Sequence, residues 1–402
     1  MIRHILKLMW NRKRSLVWIF IEQVFVFGVI LFCFSMLSDT VFRHYAKGTI
    51  RMDDIISVNF ARFESEEQTE DEVETDPKAI RAQFHNMLEA MKEWSSVELV
   101  SFGRGGAMPG NNSHRLDSVT FNGQRLRPSI KYCDENYYKM FSPALKEGEW
   151  FRDSDAFSDT PPAVITQRLA DRAEFTGNAV GQTIFYNGRT FRITGVVEAF
   201  KDRPTENQLS ALFVPVSLVT DDNIWWEYTV KHKPGMSSEF SRAFMAEFYR
   251  NFPRDRFQPQ FVELYRLIVQ VSFLQFTFVV SLFAIPTAFL LIFAFMGTFG
   301  VVWMQTKKRI SEMGLRIALG STPARLLRVV IFENLVLTTI AMLPGLIVVA
   351  LLYAFDPKDG LEWWTSVSAA IVIMWLFSIV SAWYPAWKAA KVQPVEALTA
   401  GQ

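Results

Sequence analysis

Lys308-Arg309-Ile310-Ser311-Glu312-Met313-Gly314-Leu315-Arg316-Ile317-Ala318-Leu319-Gly320-Ser321-Thr322-Pro323-Ala324-Arg325-Leu326-Leu327-Arg328 is a short basic stretch between two long apolar runs. Its apolar residues recur at helical spacing, which predicts a short amphipathic helix. Gly320 can take the left-handed conformation that ends such a helix. Ser321 or Thr322 then caps a second helix, with Pro323 near its first turn, where a missing N–H is harmless. That second helix runs straight on into apolar sequence. A helix lying across one face of a membrane and continued by a span has the form of a lever, and its cap chemistry is more regular than a merely basic loop requires.

Outward from this stretch, four runs reach the ~20 apolar residues that a ~30 Å hydrocarbon core demands. They cover residues 15–37, 267–305, 329–355 and 364–387. The second is uncharged from about Val269 to Gln305, longer than a bilayer needs, which predicts a helical stalk beyond the membrane or a tilted span. Pro286 and Gly297 within it are tolerable where neighbouring helices satisfy the freed carbonyls. The first run follows Arg12-Lys13-Arg14, as a signal peptide's would. It is too long for such a core and no A-x-A site follows, so an uncleaved anchor is expected.

Charge sets the direction. Residues 1–14 carry Arg3, Lys7, Arg12, Lys13 and Arg14 and no acid. Residues 306–328 carry Lys307, Lys308, Arg309, Arg316, Arg325 and Arg328 against Glu312, whereas the loop after the third span holds Asp356, Asp359 and Glu362 against Lys358. Basic short loops stay in the cytoplasm, which places both termini inside and residues 38–266 outside. Between Ser38 and Arg266 there are 28 basic and 34 acidic residues, a net of −6, hidden in a chain total of 42 and 41. Ile2, Ile5, Leu6, Met9 and Trp10 share one helical face, so residues 1–14 read as a cytoplasmic amphipathic helix lying on membrane lipid. Residues 388–402 form the cytoplasmic tail.

The even charge balance of the 402 residues argues against a nucleic-acid partner. Cys33 lies in a span and Cys133 in polar sequence, so no disulfide is expected. No HExxH or CxxC pattern suggests a metal, and the five His residues are scattered as solvated imidazoles. Glu22 and Glu333 lie in or near spans, where a carboxylate costs about 2.5 kcal/mol or more at the midplane. Each is therefore expected to face the bundle or an interface.

Residues 38–266 mix strand and helix signals, predicting an α+β domain of two lobes. Ile55 to Phe63 alternates as a strand, and the acidic run Glu64 to Asp76 reads as a solvated loop. Lys78 to Trp94 and Phe240 to Phe252 have helical periodicity. Gly103 to Ser113 reads as a mobile loop. Asn187-Gly188 between two β-rich runs predicts a hairpin over Thr183 to Phe200. Phe257 to Tyr265 leads back to the membrane. Nothing groups an acid, a base and a nucleophile, so no enzyme is expected.

Glu312 to Ser321 resembles the E-[IM]-G-[LI]-R-x-A-[LI]-G-[AS] segment of MacB/FtsX-like ABC permeases. Leu327 to Glu333 is similar to that family's next pattern, and Pro385, Ala386, Ala389, Pro394, Glu396, Ala397 and Leu398 to its closing motif; Thr399 stands where the family has a basic residue. Tyr137-Tyr138, Phe141, Gly148-Glu149-Trp150-Phe151, Val164-Ile165-Thr166 and Gly181 to Val197 resemble the MacB-type periplasmic core.

The resemblance implies a membrane protein with four transmembrane helices of MacB/FtsX type and a large α+β periplasmic domain between the first and second. It implies that residues 306–328 seat a coupling helix in an ABC ATPase dimer, with Glu312, Met313, Gly314, Leu315, Arg316, Ala318, Gly320 and Ser321 at the contact. The chain has no GxxxxGK[ST], so ATP and Mg are expected on that separate ATPase and no cofactor on this chain. A second permease subunit, a bacterial inner-membrane location and mechanotransmission follow by the same resemblance. So do efflux, with a periplasmic adaptor and an outer-membrane channel, or the alternatives of lipoprotein extraction and FtsX-like regulation of cell-wall hydrolases.

Overall fold

The structure is a computed structural model that describes residues 13–48, 50–63, 77–110, 115–175, 178–219, 225–308, 310–355 and 360–390. In chain order its elements are α1 (Lys13–Tyr45), β1 (Ile55–Arg62), α2 (Pro77–Ala90), β2 (Val97–Arg104), β3 (Val119–Phe121), β4 (Gln124–Leu126) and β5 (Ser129–Cys133). There follow α3 (Asn136–Phe141), β6 (Leu145–Gly148), β7 (Pro162–Thr166), α4 (Gln167–Arg172), β8 (Thr183–Tyr186), β9 (Arg189–Val197) and β10 (Ala211–Pro215). The last are β11 (Trp226–His232), α5 (Ser237–Asn251), β12 (Phe257–Glu263), α6 (Leu264–Lys308), α7 (Ile310–Ala318), α8 (Pro323–Phe355) and α9 (Gly360–Ala390). Two units result: Met1–Phe42 with Phe276–Gln402, and Arg43–Gln275.

The first unit contains the apolar lengths of α1, α6, α8 and α9, each long and apolar enough to cross a membrane. At 1.5 Å per residue the 45 residues of α6 extend about 67 Å, twice a hydrocarbon core, so the excess length expected of the second run is helical throughout. Pro286 removes one N–H from that helix, and beside it Thr287 Oγ1 donates to Phe283 O at 2.6 Å. Phe27, Ile30, Ala294, Met342, Ala370 and Met374 form the apolar centre where the four helices meet. Gly345 lets α8 lie against α1, because a Cβ there would stand 2.8 Å from the Phe27 ring. Asn334 Nδ2 donates to Ser378 O at 3.0 Å and to its Oγ at 2.9 Å, joining α8 to α9 by polar contacts buried among apolar side chains. Without water, such pairs satisfy groups that would otherwise be costly.

The second unit is built on one mixed sheet, ordered β12-β1-β11-β2-β5-β10-β7-β9-β8-β3-β4, with β6 beside β9. Under one half, Phe84 of α2 and Phe240, Phe244 and Phe248 of α5 pack on β1, β2 and β11. These phenylalanines recur every four residues along α5, the helical spacing read in the sequence. The other half carries its own core around Ile165, Leu169, Ile193 and Leu212. The expected two lobes are therefore halves of a single sheet, joined where β2 pairs with β5 at Gly103–Cys133 and Arg104–Tyr132. The hairpin of β8 and β9 turns at Asn187 (φ 47°) and Gly188 (φ 75°), the two positive φ values a tight primed turn requires.

Two further expectations are corrected. Gly103 and Arg104 end β2, and residues 106–110 after them are pinned rather than loose, while residues 111–113 of that stretch lie outside the described residues. Lys131 Nζ donates to Gly106 O (2.6 Å), Tyr137 Oη to Ala107 O (3.0 Å), Met108 N to Glu227 Oε2 (2.8 Å) and Arg203 Nη2 to Gly110 O (2.8 Å). Glycine composition suggests mobility, but polar side chains from distant parts of the chain satisfy this loop's backbone. His232 is buried rather than solvated, with Nδ1 2.9 Å from Lys233 O, because β11 is a central strand. The acidic run of residues 64–76 and the N-terminal residues 1–12 lie outside the described residues.

Candidate functional site

The basic stretch folds into an elbow. α6 ends at Lys308, α7 occupies Ile310–Ala318, and α8 begins at Pro323. Gly320, at φ +93°, closes α7: Ser321 N donates to Arg316 O at 2.9 Å and Gly320 N to Ile317 O at 2.9 Å. This paired pattern satisfies carbonyls that a helix end leaves open, and it needs the left-handed residue. Thr322 O accepts from Arg325 N (3.0 Å) and Leu326 N (3.3 Å), so α8 starts without a gap.

α7 has two distinct faces. Met313 and Ile317 pack on Leu326 and Val330 of α8, and Gly314 is buried on the same side. Leu315 (52%), Arg316, Ala318, Leu319 (78%) and Gly320 are exposed, and Ser321 is half-buried. The residues expected at the contact are thus divided: Leu315, Arg316 and Ala318 face outward, while Met313 and Gly314 hold α7 against its own chain. Glu312 is helical, and its side chain is outside the described set. Leu319 was not singled out in the sequence, although its spacing of four from Leu315 marks a second apolar position opposite Met313 and Ile317.

Beside the elbow, Trp303 near the end of α6 stacks on Tyr384 of α9 with centroids 6.0 Å apart and planes at 10°. Lys388 Nζ lies 4.8 Å and Lys307 Nζ 5.5 Å from the Trp303 ring, so two ammonium groups share one indole face system. Pro385 and Ala386 of the closing motif are buried within α9, which runs on to Ala390. Pro394, Glu396, Ala397 and Leu398 lie outside the described residues.

Glu22 is half-buried on α1 and meets α6 at Gly297, where an added Cβ would stand 2.5 Å from Oε1. Its neighbour Gln23 is fully buried with both amide atoms lacking a hydrogen-bond partner among the described residues. Glu333 is half-buried on α8, next to the Asn334–Ser378 pair. The structure brings neither Glu22 nor Glu333 to the elbow's outward face.

Four apolar helices, a sheet domain inserted between the first two, and a packed elbow between the second and third define a permease-type membrane protein. A family model described as "MacB-like periplasmic core domain" matches residues 26–243, and one described as "FtsX-like permease C-terminal" matches residues 283–394. The chain belongs to the MacB/FtsX-like family of ABC transporter permeases. It is 24% identical over 280 residues to an uncharacterized ABC transporter permease, YknZ, of Bacillus subtilis, covering 67% of this chain and 69% of that one. It is 22% identical over 292 residues to the macrolide export ATP-binding/permease protein MacB of Neisseria gonorrhoeae, covering 70% of this chain and 45% of that protein. The chain thus spans under half the length of that relative. Among solved structures, the periplasmic region of MacB from Actinobacillus actinomycetemcomitans is similar over 55% of this chain and 93% of that one, at 12% identity and a TM-score of 0.38.

Proposed function

We propose that this permease subunit couples ATP hydrolysis by a separate ABC ATPase dimer to movement of its sheet domain on the far side of the membrane. The observation that carries the reading is the two-faced α7, anchored to α8 by Met313 and Ile317 and presenting Leu315, Arg316 and Leu319 outward. Exposed leucines on a short helix offer apolar contact, and Arg316 offers an ion pair to a groove of opposite charge. ATP and Mg sit on the partner; this chain supplies the handle. The charge of the short loops supports an inner membrane with both termini and α7 in the cytoplasm and Arg43–Gln275 in the periplasm. A second permease subunit completes the pair above the two ATPases, and the displacement serves export of a substrate.

The test is gentle purification of the tagged full chain from its own host, followed by ATPase assay of what accompanies it. An ABC ATPase subunit is expected with the wild type, lost with Leu315→Asp while the variant still inserts. Equal recovery of the ATPase with both proteins would refute the contact. A reporter placed after Gly110 should be periplasmic and one after Gly320 cytoplasmic; the opposite labelling would reverse the orientation.

A further inference from the structure

Three consecutive charged residues, Lys201-Asp202-Arg203, reach three different parts of the periplasmic unit. Lys201 is 1% exposed, and its Nζ donates to the carbonyls of Arg43 and Ala46 (2.6 Å for the latter). These carbonyls belong to the final turn of α1 and the residue just past it, where helix groups lack partners and a cation is favoured by the dipole. Lys201 N adds a bond to Gly48 O at 3.0 Å. Gly48 holds φ +113°, and a Cβ there would lie 3.1 Å from the backbone of Ala199 and Phe200, so only glycine lets the chain leaving α1 lie this close.

Asp202, also 1% exposed, receives Lys131 Nζ at 2.9 and 3.0 Å, and Lys131 sits on the central strand β5. Arg203 Nη2 donates to Gly110 O at 2.8 Å. Gly110 rests on the first turns of α6: a Cβ there would stand 2.4 Å from Ile268 Cδ1, and Ile268 is 1% exposed. A buried ion pair adds little stability over apolar packing, so what these residues supply is fixed position.

We propose that Lys201-Asp202-Arg203 is a three-way junction that ties the outer ends of α1 and α6 to the middle of the sheet, so that displacement of either helix is delivered to β5. Its purpose rests on the coupling function proposed above. The three are positioning residues, each serving one arm.

Amide hydrogen exchange of the full chain in detergent, without nucleotide or ATPase, tests the assignment. Lys201→Met should speed exchange roughly tenfold at residues 43–48 while leaving residues 105–110 and the β8–β9 hairpin unchanged. Arg203→Met should do the reverse, speeding residues 106–110 and 264–268 and sparing residues 43–48. Lys201→Arg and Arg203→Lys, which keep a donor, should resemble the wild type. Uniform acceleration that includes the β8–β9 hairpin would show ordinary core stabilisation and overturn the junction, as would no change in either variant. Should Lys201→Met not fold, the Arg203→Met and Lys201→Arg pattern decides alone, because the Arg203 side chain is already 12% exposed. Failure here leaves the α7 contact standing, whereas loss of that contact leaves these exchange patterns untouched.

Discussion

Lys131→Met removes the ammonium from an ion pair fully enclosed in the sheet domain. Lys131 is 0% and Asp202 1% exposed, and both carboxylate oxygens lie within 3.0 Å of Nζ. The substitution takes the ammonium away from the buried Asp202 carboxylate, and breaking a buried pair from one side costs about 3–5 kcal/mol. Gly106 O loses its donor as well, which adds to the same deficit. Whole-domain stabilities are about 5–15 kcal/mol, so the variant should be severely weakened but not necessarily unfolded. Urea titration of the full chain in detergent, followed by fluorescence of Trp94, Trp150, Trp225 and Trp226, reads this unit. At a slope of about 2 kcal/mol per molar, a loss of 4 kcal/mol lowers the midpoint by roughly 2 M. Adding Asp202→Asn to Lys131→Met removes the buried negative charge while keeping the shape, and should recover at least half of the loss. A single variant within ~1 kcal/mol of wild type, or a double variant no better than the single, would refute the argument that the pair is held by mutual charge compensation.

Three other outcomes follow from the geometry. Gly345→Ala should lower the thermal midpoint of the detergent-solubilised chain, because its Cβ would stand 2.8 Å from the fully buried Phe27 ring, and adding Phe27→Leu should recover part of the loss; a Gly345→Ala midpoint equal to wild type would disprove the close approach of α8 to α1. Asp134 is held by Ser101 Oγ (2.6 Å), Phe102 N and Tyr137 N, and burial pushes its carboxyl from 3.8 to about 7. The folded state then binds the extra proton between those values, so the stabilising contribution falls as pH rises from about 4 to 7 and is flat above; Asp134→Asn should abolish that slope in urea midpoints, and a wild type that instead gains stability over the variant with rising pH would contradict it. Gly320→Ala forces a side chain into φ +93° at a cost of about 1–2 kcal/mol, and should speed tryptic cleavage at Arg316; unchanged cleavage would show that the elbow is not held by its cap.

Periodicity makes the long elements legible in the sequence. The four apolar runs, the helix of Ile80, Phe84, Met87 and Leu88, and the Asn187-Gly188 turn all stand where spacing placed them, because each is decided within a few residues of chain. The cap at Gly320 was readable for the same reason. What sequence left hidden was pairing across distance. Nothing near Gly106 in the chain announces that Lys131, 25 residues on, takes its carbonyl, and so a pinned loop looked mobile. Likewise the sequence puts Gly314 and Leu315 in one short helix, and the packing of Met313 on Leu326 is what shows which side of α7 turns inward.

The join between β2 and β5 is only two residue pairs wide. Just past it, the Asp134 side chain reaches back across the same seam to Ser101 and Phe102. The narrow backbone seam is therefore doubled by side chains, Asn136 Nδ2 donating to Val100 O at 3.0 Å and Lys131 Nζ to Gly106 O at 2.6 Å, so the two leaves meet like boards joined by dowels rather than by one continuous edge.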